Sequence, residues 1–224
     1  MAIIFFDFDS TVVSHETLDH TLARILESHP DKERVISEID EITRLGMEGK
    51  LDFKESILKR IAIVPLSKKL LEETGASMTK EITPDIEEVF TWLRGHGHEI
   101  YIASGGFIEC VAPVARALGI AQDHIFTNRF LYSERGLVVG VDETSLLWTN
   151  EGKSRVLAFI RSQRPRQTII IVGDGATDLK AFESGAADDF IGFGAHAVRT
   201  SVIEKAPHFV YSAKELLTLL QKIL

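Results

Sequence analysis

Ile3-Ile4-Phe5-Phe6-Asp7-Phe8-Asp9 places four apolar residues directly before two carboxylates that stand one residue apart. A short continuous apolar run closed by polar residues is the pattern of a strand buried on both faces of a sheet. Three further runs share it: residues 100–103 before Ser104, 168–172 before Gly173, and 190–193 before Gly194. Residues 83–95, 106–118, 153–161, 178–183 and 214–223 instead read as helices, with apolar side chains at helical spacing. Thr83-Pro84 has the form of a helix start, with Thr as the cap and Pro in the first helical position. This alternation predicts an α/β fold, a Rossmann-like doubly wound parallel sheet, with its ligand site at the carboxyl ends of the strands.

Two stretches break the pattern. Residues 15–79 carry no convincing strand and read as several helices, interrupted near Pro30, Gly49 and Pro65. They follow the first strand, so a helical cap domain is expected over 15–79, and a core domain over 1–14 and 80–224. Residues 125–132 and 137–141 read as a hairpin that turns at Glu134-Arg135-Gly136.

Composition narrows the function classes. The 224 residues are 45% hydrophobic, which fits a globular chain and not a disordered one. A net charge of −8 with no long basic block argues against nucleic acid as the main partner. No apolar run is long enough for a membrane helix, and the N-terminal stretch lacks the basic region of a signal peptide. Cys110 is the single cysteine, which excludes an internal disulfide and a zinc-thiolate cluster. A cytoplasmic protein acting on a small molecule is the expectation.

The polar residues collect where strands end: Asp7 and Asp9, then Ser104-Gly105-Gly106, then Gly173-Asp174-Gly175-Ala176-Thr177-Asp178, with Lys153 starting a helix. Parallel strands end on one sheet edge, so these segments should converge. Several carboxylates at one edge suit a hard cation, most plausibly Mg²⁺, which takes oxygen ligands and bridges to phosphate. A phosphate dianion beside a carboxylate is repelled by about 8 kcal/mol at 4 Å in an effective dielectric near 20. A cation and Lys153 would offset that repulsion. Ser104 and the N–H groups after it would hold phosphoryl oxygens, since the glycines permit close approach. Asp9 is placed to protonate a leaving alkoxide and then to activate water.

These four motifs, in this order, resemble those of the haloacid dehalogenase superfamily, in its phosphoserine phosphatase branch. The resemblance extends through Phe190-Ile191-Gly192-Phe193-Gly194 to Arg199. It implies Asp7 as nucleophile and metal ligand, and Asp9 as general acid/base lending its backbone carbonyl to the metal. Asp174 would be the third ligand, with Asp178 supporting the metal, and Ser104 and Lys153 would hold the phosphoryl group. It further implies that Glu16 binds a substrate ammonium, that Arg60 binds a substrate carboxylate, and that Met47, Thr177 and Arg199 lie near the substrate. Glu and Arg together complement an amino-acid zwitterion. The implied reaction is hydrolysis of O-phospho-L-serine. Phosphoethanolamine or another small amine phosphate, phosphotransfer to another acceptor, and a catalytically silent binding protein are the alternatives. The chain departs from the family pattern in extra residues near 28–34, in Ile108 where many relatives carry arginine, and in His196 where asparagine is common.

Overall fold

Along the first strand Ile4 and Phe6 face one side and Ile3 and Phe5 the other, and all four are fully buried. Such a strand needs a helical layer on each face. A computed structural model, which describes residues 1–224, shows how the chain supplies both. Strand β1 (Ala2–Phe6) leads into four helices, α1 (Thr17–Ile25), α2 (Lys32–Met47), α3 (Phe53–Ile61) and α4 (Lys68–Ser77). Then follow α5 (Ile86–Gly95), β2 (Glu99–Phe107), α6 (Ile108–Ala117), β3 (Ile125–Asn128), β4 (Phe130–Tyr132) and β5 (Val138–Val141). The chain ends with α7 (Gly152–Gln163), β6 (Thr168–Gly173), α8 (Ala176–Glu183), β7 (Asp189–Phe193), α9 (Thr200–Ile203), β8 (His208–Val210) and α10 (Ala213–Ile223).

Six strands form one parallel sheet in the order β3-β2-β1-β6-β7-β8. Helices α5, α6 and α10 cover the face presented by Ile4 and Phe6, where the Phe90 ring meets Phe6 edge-on at 4.7 Å. Helices α7 and α8 cover the opposite face, packing Val156, Leu157 and Leu179 on Ile3, Phe5 and Ile171. The sheet is therefore doubly wound, the α/β fold expected. From β1 the chain first adds strands on one side and then on the other. The switch point lies between β1 and β6, where ligands bind in folds of this kind. No helix is long and apolar enough to cross a membrane.

The four helices after β1 build their own apolar cluster from Leu18, Leu22, Val35, Ile39, Ile57 and Leu71. That cluster is completed by Phe107, Cys110, Phe130 and Trp148 from the rest of the chain, so the segment is packed down on the sheet domain.

Three expectations need correction. The 125–132 stretch is not one arm of a hairpin: β3 joins the main sheet beside β2, and only β4 pairs antiparallel with β5. The helix expected to start at Thr83-Pro84 starts at Ile86, because Asp85 takes a left-handed conformation (φ 64°) that breaks the turn. Thr83 is used otherwise: its hydroxyl donates to the Thr11 carbonyl at 2.7 Å and lies 2.9 Å from His196 Nε2. Finally, β2 runs on to Phe107, so Ser104-Gly105-Gly106 lies within the strand's bulged end and not after it.

Candidate active site

Asp7 leaves the sheet one residue beyond β1, its N–H still donating to the Val172 carbonyl at 2.8 Å, and Asp174 leaves one residue beyond β6. Parallel pairing of the two strands thus sets both carboxylates side by side. Lys153, in the first turn of α7, inserts its ammonium between Asp7 Oδ1 (2.7 Å) and Asp178 Oδ1 (2.6 Å). Burial opposes its charge, but Asp178 and Asp7 outweigh that and hold its pKa above the ordinary value. The other Asp178 oxygen accepts from the Gly175 N–H at 3.1 Å, which shapes the start of α8. A side chain at Gly173 would put its Cβ 2.3 Å from the Asp178 carboxyl carbon, so that position must be glycine for Asp178 to fold back.

Arg199 approaches from behind. Its Nη2 and Nε lie 3.0 and 3.1 Å from one Asp174 oxygen, and Nη2 is 3.6 Å from Glu16 Oε1. The second Asp174 oxygen is buried with no hydrogen-bond partner in the protein. Ligand oxygens of Asp7, Asp174 and Asp178 all lie within 4.8 Å of one another. An orphaned carboxylate oxygen inside such a group is what a hard, oxygen-seeking cation would complete. Burial, followed by the Asp7 charge, pushes both Asp174 and Asp9 up, Asp174 to about 8 and Asp9 to about 7. For Asp178 the same rise, to about 8, comes first from burial.

Asp9 is set by the turn after β1. Ser10 adopts a left-handed conformation (φ 55°), and the Thr17 N–H donates to Asp9 Oδ1 at 3.1 Å. The Ser10 hydroxyl donates to Glu16 at 2.9 Å, and burial first, then Asp9 and Asp19, push Glu16 up to about 8. Ser104 Oγ accepts from the Gly106 N–H at 2.9 Å, while Asn128 ties down the Gly105 carbonyl at 2.9 Å. A Cβ on Gly105 would come within 2.8 Å of the Phe53 ring, so the glycine lets the helical segment close directly on the strand end.

A small cavity of about 60 Å³ lies between these parts. The sheet domain lines it with Asp7, Asp9, Ser104, Gly105, Gly106, Lys153 and Thr177, and the helical segment with Glu16, Met47, Phe53 and Arg60. Its size suits a small metabolite. Asp174, Asp178 and Arg199 stand behind this wall; Arg199 instead lines an open neighbouring cavity of about 430 Å³, which shares Glu16 and Thr43 with the first. Thr177 lies in the first turn of α8, whose cap position is held by Gly175.

The sequence reading missed Asp19, Thr43 and Asn150. Arg60 does not meet Glu16; its Nη1 donates to Asp19 Oδ1 at 2.7 Å and to Thr43 Oγ1 at 3.0 Å. Asp19 is three residues beyond Glu16 and hence on the same helix face, which is a usable signal. Nothing local marks Asn150, which comes from the sheet domain and accepts from the Phe53 N–H (3.0 Å) while donating to Asp52 (2.9 Å). Asn150→Ala removes both bonds at the head of α3, at about 0.5–1.5 kcal/mol each. The Phe53 amide should then exchange with solvent at least several-fold faster, read by hydrogen exchange, with the thermal midpoint of the sheet domain little changed.

Comparison with known proteins fits this geometry. A sequence profile described as haloacid dehalogenase-like hydrolase matches residues 4–183. The chain belongs to that family. It is 34% identical to a rat (Rattus norvegicus) phosphoserine phosphatase over 212 residues, 95% of this chain and 90% of the relative. Among solved structures it resembles a phosphoserine phosphohydrolase-like protein from Francisella tularensis, with a TM-score of 0.87 and 32% identity, covering 98% of this chain and 99% of the other. It also resembles a phosphoserine phosphatase described as a phospho-aspartyl intermediate analogue, with a TM-score of 0.79 and 30% identity, covering 97% and 98% of the two chains.

Proposed function

We propose that this hydrolase releases phosphate from O-phospho-L-serine by way of an aspartyl-phosphate on Asp7, with residues 15–79 acting as the cap. The observation that carries the reading is a single small cavity lined both by Asp7, Asp9, Ser104 and Lys153 and by the zwitterion-matching pair Glu16 and Arg60. The names of the relatives point the same way.

In the first step Asp7 forms a bond to phosphorus as the ester P–O bond breaks, and Asp9 gives its proton to the leaving serine oxygen. The raised pKa of Asp9 suits that donor role. In the second step Asp9 takes a proton from water, the water oxygen bonds to phosphorus, and Asp7 is released. Lys153 balances the Asp7 charge, and the Ser104 hydroxyl with the N–H groups after it holds phosphoryl oxygens. Phe53, seated on Gly105, keeps bulk water from the reacting centre. Mg²⁺, held by Asp7, Asp174 and the Asp9 backbone carbonyl, would supply the positive charge that lets an anionic ester approach a carboxylate. Asp178, with both oxygens engaged by Lys153 and Gly175, fixes the groups around that position.

One observation favours a second substrate, phosphoethanolamine: Arg60 is already paired with Asp19, so a carboxylate is not needed to balance it. The two substrates differ by that carboxylate. Losing a charged hydrogen bond costs about 1.5–3 kcal/mol, or about 10- to 150-fold. Arg60→Ala should lower kcat/KM for phosphoserine by that factor and spare phosphoethanolamine, whereas Glu16→Gln should weaken both. Equal losses on both substrates in a folded Arg60→Ala, or a wild-type preference for phosphoethanolamine, would defeat the phosphoserine assignment.

A further inference from the structure

The three nitrogens of the Arg60 guanidinium are not equivalent. Nε donates to the Ser56 carbonyl at 3.3 Å, one turn back on α3. Nη1 uses both of its protons, on Asp19 Oδ1 at 2.7 Å and on Thr43 Oγ1 at 3.0 Å. The Thr43 hydroxyl in turn donates to the other Asp19 oxygen, which closes a ring of three side chains from α1, α2 and α3. Nη2 alone has no partner in the protein. The side chain is 4% exposed, so it has little freedom to turn another edge toward the cavity it lines. Asp19 stands behind it, in the wall of the neighbouring cavity and outside the catalytic one.

We infer that Asp19 is the positioning residue that sets substrate choice: by engaging Nη1 it fixes Arg60 so that Nη2 is the nitrogen offered to a substrate carboxylate. The anchor is then a single-nitrogen contact and not the two-pronged clamp that arginine commonly makes with carboxylates. A long side chain fixed in advance need not be ordered on binding. Without Asp19 that ordering falls on the substrate, and only on a substrate that uses Arg60. This inference rests on the phosphoserine reading.

The test is Asp19→Asn, which keeps the shape and removes the charge, assayed on phosphoserine and phosphoethanolamine alone and combined with Arg60→Ala. The KM for phosphoserine should rise about 3- to 10-fold, the size expected when one long side chain must be ordered anew. Its kcat should change far less, and phosphoethanolamine should not share the loss. In the Arg60→Ala background Asp19→Asn should add no further loss, because its effect on the carboxylate contact passes through that arginine. A substrate-free readout accompanies the kinetics: the Arg60 Nε–H resonance should be sharp in the wild type and should broaden or exchange rapidly in Asp19→Asn. Failure of the phosphoserine reading would appear as an Arg60→Ala that leaves the substrate preference intact. Failure of the Asp19 role alone would appear as a preference that collapses in Arg60→Ala but survives in Asp19→Asn. Equal losses on both substrates, a further loss in the Arg60→Ala background, or an unchanged Nε–H resonance would each overturn the role given to Asp19.

Discussion

Asp7→Asn should lower kcat by about 10⁴-fold or more, a loss of the size seen when an enzyme's nucleophile is removed. The amide matches the carboxylate in shape, so Phe6 and Phe8, both fully buried on either side of it, keep their packing. What changes is chemical. An amide oxygen is a far weaker nucleophile toward phosphorus, it is a poorer ligand for a hard cation, and it leaves Lys153 with one carboxyl partner instead of two. A matching circular dichroism spectrum and thermal transition would show that the fold persists. Ordinary turnover in such a variant would mean that the reaction does not pass through Asp7.

Removal of divalent metal should have a comparable effect. With Asp7, Asp174 and Asp178 clustered, a phosphate ester must bring two negative charges up to the Asp7 carboxylate, whose one cationic partner is Lys153. The repulsion from one carboxylate alone is about 8 kcal/mol at 4 Å in an effective dielectric near 20. Excess chelator should therefore reduce phosphate release to the background rate, and added Mg²⁺ should restore it. Ca²⁺ should bind yet support little turnover, because its larger and looser coordination leaves the attacking oxygen misplaced. Full activity in excess chelator would contradict this account.

The fold and most of the candidate catalytic groups were legible for one reason: Asp7, Asp9, Ser104 and Asp174 lie where buried parallel strands end. The stretches Ile3–Phe6 before Asp7 and Ile169–Val172 before Gly173 are apolar at every position, and such runs have few readings besides a sheet covered on both faces. Their convergence follows from parallel pairing and needs no knowledge of side-chain contacts. The β3 segment was misread because its partner is β2, more than twenty residues earlier, while the turn at Gly136 lies close by and suggests a local hairpin. Strand β8 was missed because three residues, His208–Val210, carry no periodic signal and are ordered by pairing with β7. The pairing of Arg60 was beyond the sequence for a related reason. Helical spacing puts Glu16 and Asp19 on one face, but which of them meets Arg60 depends on how α1 and α3 cross, and that is set by the apolar cluster around Leu22 and Ile57. Asn150 is a similar case: its role exists only once the head of α3 has been brought against the chain before α7.

The claim that the phosphoryl group passes to Asp7 is tested most directly by trapping the enzyme with beryllium fluoride and Mg²⁺, followed by structure determination. Fluoroberyllate mimics a phosphoryl group on a carboxylate, so it should be bonded to an Asp7 oxygen, close to Lys153 and to Ser104 and the N–H groups that follow it. Fluoroberyllate on any other side chain, or no adduct under conditions where phosphate release is active, would contradict the account.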